Sequence, residues 1–337
     1  MYQSNHPTKE EASKYVASLI INRINTFNPT QNRKFILCLP TGSTPLLVYK
    51  KLASRCEKGE ISFEHVITIN LDEYVGLSSD HPQSYYQFME ENLDIPSSQC
   101  HLLPGLPIPP HTTPEESCAS YESLITSLGG VHLLFMGIGE NGHIAFNEPC
   151  SSFRGRTRVV KLNEGTRKVN ARFFDDPSEV PKHALSMGIG TILDSQEIVV
   201  LAIGHKKAEA VRKAMEDGVN HLCPASALQL HENVIFVTDD EASQNLRKTV
   251  KDYLTSQIPC QRGSMISSIG RPDVSGDYCR TSGIQGRAIN TNQDTDPMKH
   301  VDNSDITLLS QGKIKIDEKL DSEVNDHDEG DQDCNSL

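Results

Sequence analysis

Five short apolar runs, separated by stretches with helical spacing, constrain this chain more than any other feature. They are Phe35–Leu39, Val66–Asn70, Val131–Met136, Glu197–Ile203 and Asn233–Val237. Each has the length of a strand, and each is near-continuously apolar, as a strand covered on both faces would be. Helix signals lie between them. Thr8 and Glu11 make a capping-box pattern ahead of Ala12, Val16, Leu19, Ile20 and Ile24, which recur at helical intervals. Thr44-Pro45 puts proline at a helix start, and Thr113-Pro-Glu-Glu116 opens a helix that Gly129-Gly130 ends. Residues 206–217 and 240–255 are helix-compatible and follow the last two strands. Repeated βα units imply the α/β class, with a mostly parallel sheet and helices on both faces. Such sheets bind ligands at the carboxyl ends of their strands.

The first three runs each end in a polar loop. Leu39-Pro-Thr-Gly-Ser-Thr-Pro45 combines a glycine, three hydroxyls and a following helix start, which suits an anion; a plain capped turn is the alternative. There is no GxxxxGK[ST], so a nucleoside triphosphate is not indicated. Asn70-Leu-Asp-Glu-Tyr74 puts Asp72 just past a buried strand, where desolvation would raise its pKa toward that of a general base; a helix or turn cap is the alternative. The third loop runs from Gly137 to Pro149 and contains GxGxxG. A dinucleotide site needs a helix to start within the glycines, and His143 through Pro149 has no helical period. His143 is the group suited to proton transfer near neutral pH, with Asn141 and Glu148 able to orient its ring. Arg172 and Lys207 are candidate phosphate partners.

Composition narrows the classes further. The net charge of −13 argues against nucleic-acid binding, although residues 317–333 carry −8 of it and the remainder only −5. Nine cysteines occur without a CxxC or zinc-ligand spacing, which reads as free thiols in a reducing compartment and no metal site. No run approaches the ~18 apolar residues of a membrane helix, and the first residues carry charges where a signal peptide is apolar, so a cytosolic protein is expected. The division expected is one catalytic domain over 1–259 and a largely disordered acidic tail over 260–337, where Ser, Gly, Asn and Asp prevail without a sustained period.

These strings together resemble the glucosamine-6-phosphate deaminase (isomerase) family. The matches are LPTGSTP (39–45), NLDEYVGL (70–77), SYYQFM (84–89), GIGENGHIAFNEP (137–149), NARFFD (170–175), VPKHALSMGIGTILDS (180–195) and PASALQLH (224–231). The resemblance covers roughly residues 8–255. It implies a three-layer α/β/α sandwich with a Rossmann-like sheet, acting on glucosamine 6-phosphate without a cofactor. Asp72 would then be the enolisation base, and His143, with Asn141 and Glu148, would open the sugar ring. Thr41, Gly42, Ser43, Thr44, Arg172 and Lys207 would hold the phosphate. A small sugar phosphate is the expected partner, with neither nucleic acid nor membrane, and a homo-oligomer is compatible with the resemblance.

The chain departs from the family pattern in two places. Position 141 is Asn where many relatives have Asp, and a modest shift of the pH profile is expected for Asn141→Asp. Hexameric relatives are activated by N-acetylglucosamine 6-phosphate at a second phosphate site. Ser151, Arg158 and Tyr253 match that site, whereas its lysine position is Val160, with Lys161 beside it. Two other readings stay open: a 6-phosphogluconolactonase-like hydrolase on the same fold, and a non-catalytic sugar-phosphate sensor or scaffold.

Overall fold

The computed structural model describes residues 1–93, 95–107 and 113–257. The strands are β1 (Tyr2–His6), β2 (Phe35–Leu39), β3 (Val66–Asn70), β4 (Asp72–Tyr74), β5 (Cys100–His101), β6 (Leu133–Gly137), β7 (Arg158–Lys161), β8 (His183–Ser186), β9 (Ile198–Ala202) and β10 (Val234–Asp239). The helices are α1 (Lys9–Phe27), α2 (Leu46–Glu57), α3 (Tyr85–Asn92), α4 (Pro114–Ser127), α5 (Glu164–Asn170), α6 (Ile189–Leu193), α7 (Ala208–Glu216) and α8 (Lys248–Ser256). Seven strands form one sheet in the order β1-β10-β9-β6-β2-β3-β5. All of its pairings are parallel.

The two faces of this sheet are both buried, and the alternation along β2 shows how. Phe35, Leu37 and Leu39 pack with Val16 and Ile20 of α1 and Tyr49 and Leu52 of α2. Ile36 and Cys38 point the other way, toward Tyr121 and Ile125 of α4, Ile192 of α6 and Val211 of α7. The result is three layers, helix–sheet–helix, as the resemblance implies.

Two local expectations hold and three change. The Thr8 side chain accepts from Glu11 N, so the first helix starts where the capping pattern puts it. Thr113 and Glu116 form the full reciprocal box with Pro114 behind it. Pro45, by contrast, occupies the N-cap position of α2 rather than its first turn, and Thr44 makes no capping bond. The third core strand begins at Leu133, because His132 joins β2 partly through its ring: Nδ1 accepts from Ile36 N at 3.0 Å. Of the run 240–255, only Lys248–Ser256 is helical. Before it, Asp239 holds the chain in turns by accepting from Ala242 N and Gly204 N.

Strand β1 has no apolar period, and the sequence does not reveal it. It joins the edge of the sheet beside β10, with Gln3 donating to Thr238 Oγ1 at 3.2 Å. A second, three-stranded sheet is also unexpected: β4 and β7 flank β8, both antiparallel to it. No helix among the described residues is long and apolar enough to cross a membrane, and no disulfide forms among them. The boundary at 259 and the tail over 260–337 lie outside the described residues.

Candidate active site

The strand order reverses between β2 and β6. From β2 the chain proceeds outward to β3 and β5, while β6 lies on the opposite side and leads toward β9 and β10. A crevice opens beyond the carboxyl ends of the strands at such a switch. The loop after β2 holds Thr41, Gly42, Ser43 and Thr44, with Gly42 at φ +92°. The loop after β6 holds Asn141, His143 and Glu148. The two loops adjoin, since a Cβ on Gly137 would lie 3.9 Å from the Thr44 side chain.

The glycines of the second loop serve the histidine. A Cβ on Gly139 would fall 2.2–2.4 Å from the His143 ring atoms, so the ring lies directly against that backbone. Gly142 takes φ +84°, open to glycine at little cost. The GxGxxG string therefore cradles an imidazole, and no dinucleotide helix follows it.

Asn141 joins two titratable groups of this loop, His143 and Glu148. Its Oδ1 accepts from His143 N at 3.1 Å and faces His143 Nδ1 at 2.7 Å, and its Nδ2 donates to Glu148 Oε2 at 2.8 Å. A carboxylate only accepts here, so the amide nitrogen must face Glu148 and its oxygen must face the ring. The proton then sits on Nδ1, which leaves Nε2 with its lone pair. Glu148 Oε2 is 3.8 Å from His143 Nδ1, and Oε1 accepts from Thr166 Oγ1 at 2.5 Å. Burial pushes the His143 pKa below its ordinary value; Glu148 and Glu140 oppose that effect, and Lys207 adds to it.

Asp72 lies on a strand, where the sequence suggested a loop. β4 pairs Asp72 with Ser186 of β8, and the residue is buried, 8 % exposed. Burial, aided by the charge of Glu73, raises its pKa to about 8. Glu73 is buried too and is pushed up to about 7, although it accepts from the backbone N–H groups of Tyr74, Tyr85 and Tyr86 at 2.7, 3.0 and 3.1 Å. These last two bonds satisfy the start of α3.

β8 holds Asp72 and the histidine loop together. Ser186 Oγ accepts from Phe146 N at 3.0 Å, Asn147 donates to Met187 O at 2.8 Å, and Met187 N donates to Leu71 O. Asp72 and the loop that carries His143 are thus fastened to one short strand.

The basic pair meets at the same rim. Lys207 precedes α7, and burial lowers its pKa; Glu140 raises it and Arg172 lowers it. Arg172 is exposed on the 3-10 turn Ala171–Phe173, with its guanidinium 4.7 Å from the Phe173 ring centroid. A half-buried lysine beside an arginine and a helix N-terminus is a place for an anion. Among the described residues, no His/Cys/Asp/Glu group is arranged to hold a metal.

The proposed second phosphate site assembles only in part. Arg158 Nη2 reaches Ser151 Oγ at 3.4 Å, and Nη1 donates to Asn147 Oδ1 at 2.8 Å. Lys161 is three residues along the same strand and points to the opposite face, so it does not replace the lysine missing at Val160. Tyr253 is exposed on α8. Four residues escaped the sequence reading: Glu73, Tyr74, Thr166 and Ser186. Their side chains bond to other protein groups, and no motif marks that.

Residues 7–261 match the family of glucosamine-6-phosphate isomerases and 6-phosphogluconolactonases. A solved monomeric glucosamine-6-phosphate deaminase is 41 % identical, with a TM-score of 0.68 over 73 % of this chain and 100 % of that one. The 6-phosphogluconolactonase from Trypanosoma brucei is 21 % identical (TM-score 0.59, 73 % and 98 % covered), and that from Trypanosoma cruzi 19 % (0.58, 73 % and 96 %); these two share the fold. The chain belongs to the glucosamine-6-phosphate isomerase/6-phosphogluconolactonase family.

Proposed function

We propose that this chain is a glucosamine-6-phosphate deaminase, releasing fructose 6-phosphate and ammonia in the cytosol without a resident cofactor. The observation that carries the reading is the buried Asp72 carboxylate, raised to about 8 and fastened through β8 to the His143 loop. The 41 % identity to a deaminase supports the same choice. Lactone hydrolysis calls for an activated water and gives a buried base beside a carbon acid nothing to do.

The sugar phosphate is anchored by Arg172, Lys207 and the 41–44 loop, which places its other end toward the proton-transfer groups. His143 Nε2 exchanges a proton with the ring oxygen and the anomeric hydroxyl, which opens the ring to an aldehyde. The C2–H is then acidified by the adjacent carbonyl. Asp72 takes that proton as the C1 oxygen gains one from solvent, giving an enolamine, and returns it to C1, so C2 becomes a protonated imine that gives the borrowed proton back when it is hydrolysed. Water adds to the imine carbon, and ammonia leaves. Fixing the phosphate aligns C2 with Asp72, which is where much of the acceleration originates.

The test mixes the purified chain with glucosamine 6-phosphate and follows ammonia and fructose 6-phosphate, with 6-phosphogluconolactone in a parallel arm. Ammonia release that Asp72→Asn abolishes is the expected result. Turnover of the lactone alone would make the chain a lactonase, and binding without turnover would make it a sensor.

A further inference from the structure

The two oxygens of Glu148 have separate partners. Oε2 accepts from Asn141 Nδ2 at 2.8 Å, on the side facing His143. Oε1 accepts from Thr166 Oγ1 at 2.5 Å. Thr166 belongs to neither strand-end loop; it stands in the first turn of α5, where its backbone N–H is fixed by Asn163 Oδ1 at 2.7 Å. α5 passes without a break into the turn that carries Arg172. At its last residue, Asn170 Nδ2 donates to Tyr74 Oη at 2.8 Å, two residues beyond Asp72. One short segment therefore touches the ring-opening network at one end and the strand of the enolisation base at the other.

We propose that Thr166 is a positioning residue: its hydroxyl holds the Glu148 carboxylate turned toward Asn141, and so couples His143 to the segment bearing Arg172. A carboxylate held by donors on both oxygens cannot rotate. Without the hydroxyl, Oε1 is released and the charge can approach the imidazole, whose Nδ1 is 3.8 Å from Oε2. The charged groups facing His143 are Glu148, Glu140 and Lys207. Arg172 acts on Lys207. Of these, only Glu148 is bonded to Thr166. A freed carboxylate favours the imidazolium, which has no lone pair on Nε2 and cannot act as the base of ring opening.

The first experiment titrates His143 by NMR in the full-length chain, with its signal assigned by its loss in His143→Gln. Thr166→Val should raise the His143 midpoint by about 0.5–1 pH unit. Thr166→Ser, which keeps the hydroxyl, should leave it in place, and Thr166→Ala should repeat the valine result should that variant fail to fold. An unmoved midpoint in Thr166→Val and Thr166→Ala overturns the proposal. The second experiment is a double-mutant cycle on turnover, and this arm rests on the deaminase reading. Thr166→Val should lower kcat about tenfold, as loss of a hydrogen bond to a charged group does, with rescue by serine. The loss should vanish in a Glu148→Gln background, because residues acting through one another are not additive. Additive losses overturn the proposal. A parent chain that releases no ammonia but shows the shifted midpoint defeats the deaminase reading and leaves the Thr166 assignment standing.

Discussion

At the scale of single residues, the pair Asp72–Glu73 fixes how the chain responds to pH. In the proposed reaction Asp72 must be ionised to take a proton from carbon, so with a pKa near 8 activity should rise with pH up to about that value. Glu73→Gln removes the neighbouring charge but keeps an oxygen for the α3 N–H groups. The acid limb of kcat/KM should then move down by about 1 pH unit, and an unmoved limb would show that Glu73 does not act on Asp72. Stability runs the other way. Between about pH 4 and 8 the native carboxyls hold protons that the unfolded chain releases, so stability falls as pH rises through that window. Asp72→Asn should therefore raise Tm by about 5 °C at pH 8, and by less at pH 5, in calorimetry. Asn141 was legible in the sequence as a support for His143, but its second bond, to Glu148, was not. A carboxylate at 141 would face Glu148 at the distance of that 2.8 Å contact. Asn141→Asp should then move the pH profile up by more than about 1 pH unit, beyond the modest shift the sequence suggests.

At the scale of elements, the short antiparallel sheet decides the geometry of the site and was hidden from the sequence. β4 has three residues and β8 four, too few to show a period of two. Asp72 consequently reads as a loop residue, although a ladder to Ser186 holds it. β1 was hidden for a different reason: its Gln3 and Ser4 are buried polar residues, satisfied partly through β10. The loop after β6 reads as a candidate catalytic loop in the sequence, but the purpose of its glycines depends on where the His143 ring lies. Gly139→Ala tests that purpose. The new methyl meets the ring within 2.4 Å, so the ring must turn away from the crevice. We expect kcat to fall about 100-fold with Tm changed by only a few degrees, measured by steady-state kinetics and thermal melting.

At the scale of the whole molecule, the alternation of apolar strands and helices sufficed for the class and the layers. That pattern survives because burial on both faces leaves few residue choices inside the strands. The candidate site residues of the crevice run from Thr41 to Lys207, and among the described residues the last core side chain is Leu254. A chain ended after residue 261, where the family match stops, should therefore keep kcat/KM within about twofold and Tm within a few degrees. A tenfold loss of activity would give the remaining residues a part in the site.

Asn141 is followed by Gly142, and an asparagine before glycine is chemically perishable: the next backbone nitrogen can attack the side-chain amide and expel ammonia. In the folded chain that nitrogen is engaged with Gly139 O at 3.0 Å, and both ends of the amide are occupied. The architecture that orients the histidine also preserves the residue against ageing, and a loosened loop would rewrite position 141 as an acid.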